Sequence, residues 1–388
     1  MTTTAPHTAS PRPMDDMLVL DFTQVIAGPM STMMCADLGA TVIKVEPPTG
    51  DNGRTYGSSD PSIIASPVYD AFNRGKRSIV LDLRQEDDLA LAKKIARKAD
   101  VVVSAFRPGV MERLGLGYDA LRAENPRLIY GLISGFGPDG PGRTRPGFDG
   151  ALQAETGLLE LCGEPDGPPQ RIGTHVVDVT TGHVMFQAIL AALLNRERHG
   201  IGECIQTCLF DCGISLHTHH FSEYLTHGVA PTRNGNQAAM SAPSGLYQTK
   251  DGYIVFSANS VKHWDAFLKV TGSEVLAGED YATQNLRTAN RDTLVPIVMD
   301  ILRQHTTDEW VKIFEESEMV YGRLQDYAAI TASEQFSVND LALESRDGDR
   351  TVRSVRPPVR YSSFDYAQTN ASPAVIGQDS DEVRAEFG

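Results

Sequence analysis

Met17-Leu-Val-Leu-Asp-Phe22, then a helical run from Pro29 to Leu38 ended by Gly39, then Thr41-Val-Ile-Lys-Val45, form the stretch that decides the fold. Two short apolar strands flanking one helix of this length read as a βαβ unit. The pattern continues outward. After a loop rich in Gly, Asp, Ser and Pro (Pro47 to Pro61), Ser78 to Leu83 reads as a strand. Glu86 to Lys98 reads as a helix, with Leu89, Ala92, Ile95 and Ala96 at helical spacing. Val101 to Val103 and Leu128 to Ile133 add strands. The fold class is therefore α/β, with a Rossmann-like, largely parallel sheet in a large domain, and ligands are expected at the carboxyl ends of its strands. Gly135-Phe-Gly-Pro-Asp-Gly140 fits the G-x-G-x-x-G pattern, but Pro141 to Gly147 cannot open a helix to hold a pyrophosphate, so it reads as a loop.

Residues 1–16 read as a flexible tail and 17–203 as the large domain. Residues 204–233 read as a linker, although Gly200 to Phe210 has strand character. A smaller α+β domain follows at 234–330, with a hairpin turn at Asp251-Gly252 and helices around Trp264, Leu294 to Leu302 and Asp308 to Phe314. A polar linker (331–353) and a short segment (354–388) complete the chain.

Asp178, in His175-Val-Val-Asp-Val-Thr-Thr-Gly182, closes a short apolar run at the mouth of a helix. Thr180 or Thr181 can cap that helix, Met185, Ala188, Ile189, Ala192 and Leu193 share one face, and Gly200 follows its end. A helix N-terminus favours a negative charge, so a carboxylate there stays ionised. Local physics alone makes Asp178 a capping residue.

The 388-residue chain is 41% hydrophobic and 22% charged, the balance of a soluble globular protein. A formal charge of −15 argues against broad binding to nucleic acid or anionic membrane. The most apolar run, Val184 to Leu194, is too short to span a bilayer. Five cysteines in so long a chain point to a reducing, cytoplasmic setting. Cys204, Cys208 and Cys212 share one face of the expected strand too far apart to chelate one ion, so no metal is expected.

Taken together, a series of stretches resembles the class III CoA-transferases, a family that also takes in the α-methylacyl-CoA racemases. They include Val19-Leu-Asp-Phe-Thr23, Ala36-Asp-Leu-Gly-Ala-Thr-Val-Ile-Lys-Val-Glu46, Asn73-Arg-Gly-Lys-Arg77, Phe106-Arg-Pro-Gly109, Asn125-Pro-Arg-Leu-Ile-Tyr130 and Gly163-Glu-Pro-Asp-Gly-Pro-Pro169. The resemblance implies that Asp178 is a catalytic nucleophile that passes through a covalent aspartyl-CoA thioester as CoA moves from an acyl-CoA donor to a carboxylic acid. It assigns CoA binding to Val25, Ile26 and Ala27; to Leu81, Asp82, Leu83 and Arg84; to Ala105, Phe106, Arg107 and Arg113; and to Pro146, Gly147, Phe148 and Asp149. CoA and its thioesters are substrates, with no cofactor bound permanently. The resemblance further implies an interlocked homodimer wrapped by the linkers, return of 354–388 to the large domain, and a small-residue loop over the intermediate at Ala238 to Gly245. Two alternatives stay open: a racemase or epimerase, and an acyl-CoA-binding relative without turnover. Racemases carry His where this chain has Phe148, which cannot move a proton, so transfer leads.

Overall fold

A computed structural model describes residues 11–57, 65–366 and 370–388. Residues 1–10 of the expected tail and part of the Pro47–Pro61 loop lie outside them. The chain forms two compact units: residues 1–156, 172–218 and 335–388, and residues 157–171 with 219–334.

The first unit is built on six parallel strands: β1 (Leu18–Phe22), β2 (Thr41–Glu46), β3 (Lys76–Val80), β4 (Val101–Ser104), β5 (Ile129–Ser134) and β6 (Glu203–Cys208). Their spatial order is β3-β2-β1-β4-β5-β6, the doubly wound arrangement in which the order reverses between β1 and β4. Side chains alternate between the two faces of the sheet. Leu20, Ile43, Ile79 and Val102 pack with Leu91, Ala92 and Ile95 of helix α2 (Glu86–Lys98). Against the other face lie α1 (Ala27–Asp37) and α4 (Val176–His199), the second of which follows the short α3 (Asp149–Glu155).

Charge is buried on that second face. Asp21 stands opposite Lys44 in the β1–β2 register. Lys76 Nζ lies 2.9 Å from Asp21, Lys44 Nζ 2.7 Å from Asp51, and Arg54 2.6 Å from Glu46, all of them at most 4% exposed. Burial alone would raise the Asp21 carboxyl, but Lys76 and Lys44 hold it well below the carboxylate range. Burial pulls Lys76 down to about 8 against the attraction of Asp21. Breaking such a pair by removing one partner costs roughly 3–5 kcal/mol, because a lone charge stays inside.

Several expectations are corrected. β3 begins at Lys76 and ends at Val80, not at Leu83, because Lys76 is a buried ion-pair partner and not a loop residue. Met14, placed in the expected tail, is buried, and its N–H donates to Leu38 O at 2.9 Å. The stretch read as linker 204–233 carries β6 and helices α5 (Leu209–Ser215) and Thr218–His227. Cys212 thus sits on α5, off the strand that holds Cys204 and Cys208. Half of the 331–353 stretch is a hairpin, Ala342–Asp347 paired with Arg350–Val355, whose Leu343 and Val352 are buried.

The C-terminal segment returns to this unit. Val383 and Phe387 of helix Ser380–Phe387 join the α2 side of the core. β3 is an edge strand, and Asp379 covers it: its N–H donates to Ser78 O at 2.9 Å and its carboxylate accepts from Ser78 N at 2.7 Å.

The second unit has three antiparallel strands, Ser244–Gln248, Tyr253–Ser257 and Val320–Arg323. The first two turn at Asp251-Gly252, with Thr249 N bonded to Gly252 O at 2.9 Å. Helices Val261–Thr271, Arg291–Leu302 and Thr307–Glu316 supply the rest of an aromatic core in which Phe256 stacks on Phe314 at 5.4 Å.

Candidate active site

The reversal of strand order between β1 and β4 leaves a crevice at their carboxyl ends. A cavity of about 490 Å³ lies there. Phe22 and Gln24 to Gly28 line it where β1 runs into α1, Ala105 to Pro108 line it after β4, and Ile133 to Gly135 line it after β5. Asp178 opens into the same cavity from the first turn of α4.

α4 starts two residues before Asp178. Val176 and Val177, read as an apolar run ahead of the helix, are its first turn. Neither threonine at 180 or 181 caps it: Thr181 Oγ1 donates backwards to Val177 O at 2.8 Å. His175 occupies the N-cap position without a side-chain bond. The cap comes from Asp149. Its Oδ2 accepts from Val177 N at 2.8 Å and lies 3.4 Å from Asp178 N. Asp149 Oδ1 accepts in turn from Gln153 Nε2 at 2.7 Å, and Gln153 Oε1 accepts from Ile172 N at 3.0 Å. The N-terminal donors of α4 are therefore served by a buried carboxylate 28 positions earlier in the chain. Asp178 stands in the first turn of that helix, in the favourable field of its N-terminal end.

Two glycines set the walls. A Cβ at Gly182 would lie 2.8 Å from Ala27 O and 2.9 Å from Met30 Cβ, so only glycine lets α4 lie this close to α1. A Cβ at Gly147 would come 2.8 Å from Gly135 Cα. The first glycine of the apparent nucleotide motif thus serves a crossing of two loops.

The expected CoA residues divide between two cavities. Val25, Ile26, Ala27, Ala105, Phe106, Arg107, Pro146, Gly147 and Phe148 line the first. Leu81 to Arg84 line a second cavity of about 510 Å³, which shares Phe22, Gln24 and Phe106 with it. Arg113 lies on the short helix Val110–Arg113, whose Val110 faces the second cavity. Asp149 is turned inward to the helix end. Arg84 is exposed and bound to Asp82 at 2.8 Å, and that pairing draws the Asp82 carboxyl down to about 2. Gln24, Tyr56, Arg143 and Arg145 also line the first cavity and went unread in the sequence. Arg143 and Arg145 sit in the Pro141–Gly147 segment, whose only legible signal was its inability to form a helix. Arg145 is paired with Glu155 at 2.5 Å, whereas Arg107 and Arg143 have no ion pair among the described residues. A larger cavity, about 580 Å³, lies between α1 and the 350–355 strand, but its acidic side chains Asp37 and Asp70 are tied to Arg74 and Arg350.

The profile of CoA-transferase family III matches residues 14–380. The chain belongs to CoA-transferase family III. This family III chain is 37% identical over 377 residues to a probable fatty acyl-CoA transferase, Rv3272, of Mycobacterium tuberculosis, covering 93% of its own length and 95% of the relative. It is 36% identical to the acetyl-CoA:oxalate CoA-transferase of Acetobacter aceti, covering 100% and 98%. It is 32% identical to the human succinyl-CoA:glutarate CoA-transferase, covering 97% and 86%. Its fold matches the crystal structure of Rv3272 with a TM-score of 0.87 at 35% identity, over 98% and 100% of the two chains. A CAIB/BAIF family protein from Brucella suis superposes with a TM-score of 0.86 at 33% identity, over 97% and 100%.

Proposed function

We propose that this transferase moves CoA from an acyl-CoA donor to a small carboxylic acid through a covalent intermediate on Asp178. The observation that carries the reading is the division of labour between two carboxylates at one helix end: Asp149 serves the backbone, and Asp178 opens into the cavity. One Asp178 oxygen attacks the thioester carbonyl, and the C–S bond breaks to give an aspartyl-acyl anhydride and CoA thiolate. The thiolate attacks the aspartyl carbonyl, which releases the donor acid and leaves an aspartyl-CoA thioester. The acceptor carboxylate attacks that thioester and displaces the thiolate as a mixed anhydride forms. The thiolate then attacks the acceptor's carbonyl, and Asp178 leaves as carboxylate. Every bond broken is matched by one formed, so no nucleotide is consumed.

Arg107 suits a phosphate of CoA, as a forked donor without an ion pair among the described residues, and Phe106 is shared by the two cavities that the long substrate would span. Arg143 suits the second carboxylate of a dicarboxylic acceptor, the class for which the oxalate and glutarate relatives are named. The Ala238–Gly245 loop belongs to the second unit, where Arg291 donates to Ala239 O at 2.9 Å and Arg287 to Ala242 O at 3.2 Å. A homodimer is part of this proposal. Helix Thr218–His227 buries none of its residues, and its Tyr224 and Leu225 are 52% and 78% exposed, apolar surface that a second copy would cover.

The test is Asp178→Ala, with CoA exchange assayed between a panel of acyl-CoA donors and mono- and dicarboxylic acceptors. Exchange is expected to vanish while CoA binding stays, and intact-mass spectrometry of the wild type under turnover should show a CoA adduct that the variant lacks. Near-normal exchange by the variant would overturn the assignment.

A further inference from the structure

Val25 has a backbone φ of +70°, the left-handed region that a β-branched side chain rarely adopts. This residue stands where β1 leaves the sheet and the chain turns to start α1 at Ala27, and it lines the cavity that holds Asp178. Such a conformation persists only where its surroundings over-determine it. The constraint is visible. Asp51 Oδ1 accepts from Val25 N at 3.0 Å and from Gly53 N at 2.7 Å. Asp51 is 2% exposed, and its own N–H donates to Glu46 at 2.9 Å. Its other oxygen lies 2.7 Å from Lys44 Nζ, a charge contact off the hydrogen-bond direction. Lys44 Nζ also donates to Thr23 O at 2.9 Å, so the ion pair grips the turn at two points, residues 23 and 25.

We infer that Asp51 is a positioning residue for CoA binding: with Lys44, it holds Val25 in the left-handed conformation that shapes the wall of the cavity. Neither side chain lines that cavity. Asp51 therefore acts on the ligand only through the backbone of the 23–27 turn. The inference rests on CoA occupying this cavity, as proposed above.

A double-mutant cycle of Asp51→Ala and Val25→Gly tests it, because glycine adopts positive φ without a carboxylate to hold it. The readouts are KM for acyl-CoA, kcat at saturation, and binding of free CoA by titration calorimetry. With Val25 present, D51A should raise KM and the CoA Kd by roughly tenfold or more and leave kcat within about threefold. With glycine at 25, the same substitution should cost less than about threefold. An equal D51A penalty in both backgrounds overturns the inference, as does a folded D51A protein that binds CoA like the wild type. Should the lone Lys44 charge unfold D51A, the cycle is run in a K44M background, which removes that charge. A wild type that binds no CoA would instead overturn the assignment of the cavity itself.

Discussion

Asp149 Oδ2 accepts from Val177 N at 2.8 Å, so the helix that carries Asp178 is capped from another helix. Replacing Asp149 by Ala leaves a buried N–H without a partner and costs roughly 1–2 kcal/mol of stability. It also loosens the turn that carries Asp178. We expect kcat to fall about tenfold to a hundredfold, with KM for acyl-CoA little changed. A rise in KM at constant kcat would mean that Asp149 contacts CoA instead.

Gly182→Ala places a methyl group 2.8 Å from Ala27 O and 2.9 Å from Met30 Cβ. Both are parts of a packed helix, so α1 has to move. The expected cost is roughly 1–3 kcal/mol in urea unfolding. KM for acyl-CoA should rise as well, since Ala27 lines the cavity. An unchanged KM with lowered stability would separate the helix contact from the binding wall.

Arg107→Ala should raise KM for acyl-CoA about tenfold, with a smaller effect on kcat. The KM of the wild type should climb with salt, and that slope should be shallower in the variant. A variant with the wild-type salt slope would remove Arg107 from phosphate binding.

Glu46 sets an acid limit. Burial alone would raise its carboxyl, but two hydrogen bonds from Arg54 hold it at about 2, below the ordinary 4.5. A carboxylate held low stabilises fully above pH 4.5, and that contribution fades as pH falls towards 2. It amounts to on the order of 3 kcal/mol. Urea unfolding between pH 7 and 3 should show this loss, and Glu46→Gln should flatten the acid limb at the price of a less stable protein at pH 7. An equally steep limb in the variant would assign the acid sensitivity to other carboxylates.

The sheet was legible because its strands are short apolar runs separated by helices with clear ends. Helix Glu86–Lys98 has the bounds read from its sequence: acidic residues fill its first turn and Arg97 and Lys98 its last. Strand β3 starts two residues ahead of the stretch Ser78 to Leu83, at a lysine whose buried partner Asp21 only the fold brings near. The site was less legible. Nothing in the local sequence of residues 175–182 shows that Asp149 supplies the cap, because the partners meet only once α3 and α4 are placed. The grip of Asp51 on Val25 is hidden for the same reason: it spans 26 positions and ends in a backbone angle.

Asp379 seals the outer edge of β3, and it belongs to a segment made by the ribosome only after the whole of 219–334. During synthesis, all six strands must therefore wait beside an open edge while another unit emerges. An unsealed parallel sheet is a template for pairing with other chains. Until Asp379 is made, the edge of β3 at Ser78 lacks the backbone partner that it has in the finished fold.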